Sequence, residues 1–92
     1  MPRPRLCRRI GSNPNVIFYK PQGIPLKNLK VIEISLEEWE ALRLKNVENL
    51  DQNRSAEKMR TSQSTFQRIF IGAQKKISFA IINGMAIRIA KK

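Results

Sequence analysis

The hydrophobic positions of this chain fall into two periods, and the clearer one runs from Phe66 to Ile81. Phe66, Ile69, Phe70, Ala73, Ile77, Ala80 and Ile81 recur in steps of three and four, the spacing of one helical face. Ser62 stands where that helix takes its cap, and it reaches Ile82 before Asn83-Gly84, a pair that tolerates the left-handed closing conformation. Upstream, Leu36, Trp39, Leu42 and Val47 repeat at helical spacing. Ser35 and Glu38 form an S-x-x-E capping box, which predicts a helix starting at Leu36 and ending within residues 46–49. Asp51 is the next cap and opens a short helix over residues 52–59, with Ala56 and Met59 turned inward. Arg60 and Thr61 then form a tight connection.

The period-two pattern is confined to short runs. VIEI, Val31–Ile34, is β-branched and reads as a strand, and MAIRIA over residues 85–90 alternates with Arg88 outward. A lone strand is unstable, so the terminal run is expected to pair with Val31–Ile34 or with its own copy in a second chain. All five prolines fall in the first 30 residues, which predicts an irregular, extended segment. Its opening, MPRPRLCRR, reads as a basic polyproline-like arm, FYKPQGIP as a turn around residues 21–23, and Phe18 and Tyr19 as pins to the body. The predicted organisation is an arm over residues 1–29 and a mainly α domain over residues 30–92 with a small two-strand β element.

Charge sharpens this picture. The net charge is +11 and it is unevenly placed. Residues 1–30 hold seven Lys or Arg and no acid, residues 31–50 carry five Glu against two bases, and residues 51–92 carry nine bases against two acids. Basic segments flanking an acidic one suit a polyanion, nucleic acid above all; a basic surface serving solubility alone needs less charge.

The absences matter equally. With no His, the usual general base near neutral pH is missing, and a single Cys builds neither a zinc site nor an internal disulfide. No phosphate loop is present, so no enzyme, metal or cofactor is expected. No apolar run approaches the roughly 18–20 residues of a membrane span, and the amino terminus lacks the apolar core of a secretory signal, which makes a cytoplasmic location the expectation.

A short helix containing a small residue, a tight turn, and a longer helix with a polar start is the helix-turn-helix plan. Phe66, Ile69 and Phe70 belong to the core by their spacing, which leaves Gln63, Ser64, Gln67, Arg68 and Ile71 on the free face. Gln63 and Gln67 can present amides to adenine, Arg68 a fork to guanine, and Ser64 a hydroxyl to a base. Thr61, Ser62, Thr65, Arg54, Lys58 and Arg60 are the candidate phosphate contacts, with Arg3, Arg5, Arg8 and Arg9 as a second, arm-borne set. The expected partner is double-stranded DNA, and a homodimer follows from how few contacts one such motif supplies.

A resemblance points the same way. MPRPRLCRR, the FYKPQG stretch, EWEALRL, and SAEKM followed by SQSTFQRI resemble a family of small prokaryotic proteins called domain of unknown function one-three-four. These marks cover nearly the whole chain in order. Within that family, EALRL through TFQRI is similar to the DNA-binding region four of sigma factors, which implies a helix-turn-helix transcriptional regulator. Relatives usually carry Gly where Arg60 stands, and they often carry further Cys near the amino terminus; with Cys7 alone here, no metal carries over.

Other residues have plainer readings. Trp39 fits a core position better than a base-stacking one, and Cys7 an inert thiol better than a redox switch. Glu37, Glu38 and Glu40 fit acids complementing a helix dipole, while Lys75 and Lys76 fit phosphate contacts and solvated charges equally. Two rival functions remain: an RNA-binding protein, disfavoured by the lack of exposed aromatic platforms, and a sigma-like module docking on RNA polymerase through the acidic residues 31–50.

Overall fold

A computed structural model describes residues 17–90. Its elements are β1 (Phe18–Tyr19), β2 (Val31–Ile34), α1 (Leu36–Leu42), α2 (Gln52–Lys58), α3 (Gln63–Ile82) and β3 (Ala86–Ile89), with a 3-10 turn at Leu26–Asn28 and a π-helical turn at Arg43–Val47. The fold is mainly helical with a small sheet. That sheet has three strands rather than the two expected, in the order β1-β3-β2. β3 runs parallel to β2, with Ile34 opposite Ile89, and antiparallel to β1, with Phe18 opposite Arg88. All three helices therefore lie within one crossover, and β3 fastens the end of α3 beside the start of α1. No helix among the described residues is long and apolar enough to cross a membrane.

Each helix starts where a short polar side chain replaces the missing backbone acceptor. Ser35 Oγ accepts the Glu38 N–H at 3.1 Å while Glu38 Oε1 accepts the Ser35 N–H at 2.9 Å, completing the capping box. Asp51 Oδ1 accepts from the Arg54 N–H at 2.8 Å, and Ser62 Oγ from the Thr65 N–H at 3.2 Å.

The ends share a second device: a residue with positive φ, which turns the chain so that the last carbonyls meet N–H groups beyond the helix. α2 ends at Arg60 (φ 58°), with the Arg60 N–H donating to the Glu57 carbonyl and the Thr61 N–H to the Ala56 carbonyl, both at 3.0 Å. α3 ends likewise at Gly84 (φ 64°), where the Met85 N–H reaches the Ala80 carbonyl at 2.8 Å. Both are Schellman closures. Asn49 (φ 59°) closes the π-helical turn that continues α1, with Leu50 N–H donating to the Leu44 carbonyl at 3.0 Å.

Ala41, Leu44, Ala56, Met59 and Phe66 form the helical core, with Leu50, Ile69 and Phe70 packed against it. Phe66, Ala73 and Ala80, seven residues apart along α3, are its fully buried line. Ile34, Ala86 and Ile89 are the buried residues of the sheet.

Three expectations change. Val47 and Ile81, read as core, are 71% and 68% exposed, with no element among the described residues covering their sides. Leu36, Trp39 and Leu42 are only half-buried, and the buried positions of α1 include Glu40, 2% exposed. Glu40 tolerates burial because Arg43 grips its carboxylate twice, Nε to Oε1 at 2.8 Å and a terminal nitrogen to Oε2 at 2.7 Å. That hydrogen bond raises the guanidinium above its ordinary pKa against the opposing effect of burial. A folded pKa raised above the unfolded one gives stability that is present through the neutral range and is lost only as pH rises through the folded value.

The turn between α2 and α3 yields a stability prediction. Left-handed conformation costs a side-chain-bearing residue about 1–2 kcal/mol, and glycine trades roughly half of this for backbone entropy. Arg60→Gly should raise stability by about 0.5–1 kcal/mol in denaturant unfolding, with the cooperativity unchanged. A loss of stability would mean that the Arg60 side chain contributes to folding.

Candidate nucleic-acid interface

The first two turns of α3 show a sharp division between a buried and an exposed face. Phe66 is 1% exposed among the core residues, and its ring stacks on that of Phe70 with centroids 5.9 Å apart and planes 10° from parallel. Lys45 Nζ lies 5.8 Å from the Phe70 centroid, a cation–π contact from the π-helical turn. With Phe66, Ile69 and Phe70 turned inward, Gln63, Ser64, Gln67 and Arg68 are all exposed. Gln63 and Gln67 stand one turn apart, as do Ser64 and Arg68, so four polar side chains share a patch at the amino-terminal end of a 20-residue helix.

The hydroxyls beside this patch are tied to one another. Ser62 Oγ, already capping α3, donates to Thr65 Oγ1 at 3.0 Å and lies 3.4 Å from Ser64 Oγ. Ser62 therefore has its oxygen and its proton committed, while the proton of Thr65 stays available. On α2, Arg54 and Lys58 are exposed, one turn apart and away from buried Ser55, Ala56 and Met59. Arg54 Nε approaches Glu57 Oε1 at 3.9 Å, an exposed pair too loose to hold the guanidinium from another anion. Arg60 is exposed in the turn and Thr61 half-buried beside it. Arg3, Arg5, Arg8, Arg9 and Cys7 lie outside the described residues.

Two contacts were not anticipated from the sequence. Gln52, the first residue of α2, reaches across to α3, its Nε2 3.3 Å from Gln67 Oε1 and 3.4 Å from the Gln63 carbonyl. Lys76, read as phosphate-binding or solvated, instead donates to Glu38 Oε1 at 3.0 Å and to the Glu33 carbonyl at 3.1 Å. It links α3 to α1 and β2. Lys75 remains exposed. Among the described residues, no group of three or more His, Cys, Asp or Glu could hold a metal ion.

The chain belongs to the family described as Protein of unknown function DUF134, whose family model matches residues 1–91. It is 48% identical over 89 residues to a UPF0251 protein of Desulforudis audaxviator, a match covering 97% of this chain and 58% of that relative. UPF0251 proteins of Thermoanaerobacter pseudethanolicus and Dehalococcoides mccartyi are 46% and 49% identical over 89 residues, again 97% of this chain and 75% and 76% of theirs. The chain thus spans well under two thirds of the first relative's length and about three quarters of the other two. No solved structure matches it.

The two faces of α3 make opposite predictions for stability. Phe66→Ala removes a ring from a packed core and should cost about 3–5 kcal/mol. Arg68→Ala removes an exposed side chain and should change stability by less than about 0.5 kcal/mol, a shift in melting temperature of at most about 2–4 °C. Thermal unfolding of both variants, followed by circular dichroism, reads this directly; a large loss for Arg68→Ala would place that side chain in the packing.

Proposed function

We propose that this protein binds double-stranded DNA sequence-specifically and acts as a transcriptional regulator, with α2 and α3 as a helix-turn-helix. The observation that carries this reading is the exposed polar patch of Gln63, Ser64, Gln67 and Arg68 on the leading turns of a helix whose opposite face is anchored by Phe66. Amide, hydroxyl and guanidinium groups in that position match the donor and acceptor pattern of base edges in a major groove. Small, buried Ser55 and Ala56 suit a close crossing of α3 over α2, as the helix-turn-helix plan requires. The resemblance of EALRL through TFQRI to sigma factor region four supports the same assignment.

Phosphate contacts come from Arg54, Lys58 and Arg60, with the Thr61 and Thr65 hydroxyls as shorter-range donors. Such contacts set register and supply affinity without reading sequence. The net charge of +11 supplies the attraction that brings the duplex in. Two copies on adjacent half-sites would double a small contact set, which is the reason to expect a dimer on DNA.

Neutralising about five phosphates gives a slope of roughly −4 to −5 in log affinity against log salt. Fluorescence anisotropy of a labelled duplex at increasing salt measures it. A slope near zero, or equal affinity for unrelated duplexes and for a selected site, contradicts the proposal. Tighter binding to structured RNA than to any duplex would favour an RNA-binding role.

A further inference from the structure

We propose that Gln52 is a positioning residue for base reading: it holds the carbonyl end of the Gln67 amide inward, so that Gln67 offers its NH2 group to the major groove. This rests on the DNA-reading role given to α3 above. The geometry fixes the orientation by elimination. Gln52 lies 3.4 Å from the Gln63 backbone carbonyl, and a carbonyl oxygen only accepts, so the Gln52 atom facing it is Nε2. The same Nε2 lies 3.3 Å from the end of the Gln67 side chain, which must therefore be its acceptor, Oε1. Gln67 Nε2 is then the end left for a ligand.

The consequence is a change in what Gln67 reads. An untethered glutamine can place both ends of its amide on adenine, accepting from N6 and donating to N7. With Oε1 drawn toward Gln52, the outward group is a pure donor. It suits the keto bases best, guanine with O6 and N7 or thymine with O4; adenine offers it N7 alone beside the N6 amino group, and the cytosine amino group meets it donor to donor. The tether also restricts a flexible side chain before DNA arrives, which lowers the ordering cost of binding. Gln52 acts from a different helix, so α2 contributes to specificity without touching a base.

The test uses the full chain and duplexes carrying all four base pairs at each position of a site selected by the wild-type protein. Gln67→Ala should flatten the preference at one base pair by about tenfold. Gln52→Ala should flatten the same position by about threefold or more, leaving the other positions and the melting temperature unchanged. Gln52→Glu is the decisive variant, because a carboxylate only accepts and would turn the Gln67 amide around. Every base pair carries one keto and one amino base, so the preferred pair at that position should become one with the keto base on the opposite strand. A G·C preference, for example, should move to C·G or A·T and not to T·A. If Gln52→Ala leaves the preference intact, or Gln67→Ala changes none, the tether is overturned while the DNA-binding reading stands. A wild-type protein with no sequence preference removes both.

Discussion

The ring of Phe66 fixes the rotation of α3 about its own axis, and most of what distinguishes one side of this protein from the other depends on that rotation. Packed among Ala41, Leu44, Ala56 and Met59, it draws in residues from α1, the π-helical turn, α2 and the turn after it. Once Phe66 points inward, residues one position to either side, Thr65 and Gln67, are carried toward or onto the surface, and Gln63 and Arg68 follow. A shift of one residue would bury Gln67 and expose the ring. The cost of burying an amide without partners and exposing an aromatic opposes that shift from both sides.

The remaining constraints hold this setting in place. The Schellman closure at Arg60 turns the chain from α2 into α3, and Lys76 ties the middle of α3 to Glu38 and β2. β3 then locks the far end of α3 to β2 and β1. Among the described residues, no element packs over the outer face of the leading turns of α3, where Gln63, Ser64, Gln67 and Arg68 are exposed. The most exposed apolar residue at the other end, Ile82, is 81% exposed.

What could be read from the sequence was what local chemistry determines. Ser35, Glu38, Asp51 and Ser62 announce helix starts because a cap acts on backbone within three residues, and all bond as expected. Asn83-Gly84 announced the end of α3 for the same reason. Pairing of β3 with β2 was one of the two partners expected for the terminal run, but β1 was too short, at two residues, to carry an alternation. The exposed patch at Gln63, Ser64, Gln67 and Arg68 was legible from the phase of Phe66, Ile69 and Phe70. What hydropathy concealed were contacts that change the meaning of a polar or apolar residue. Glu40 is buried because Arg43 neutralises it, and Lys76 is internal because Glu38 is 38 positions away in sequence and 3.0 Å away in space. Val47 and Ile81 are apolar without a covering element among the described residues. Gln52 bonds across 15 residues to Gln67, and no spacing rule connects the two.

The most direct test of the account is a backbone-amide NMR titration of the protein with a duplex at low salt. The largest shift changes are predicted in residues 60–68, with smaller ones at Arg54 and Lys58, and with the strands and the buried line of Ala73 and Ala80 unmoved. Shift changes confined to β1, β2 and β3 or to the carboxy-terminal half of α3, with residues 60–68 unchanged, would contradict the assignment of the leading end of α3 as the DNA-reading surface.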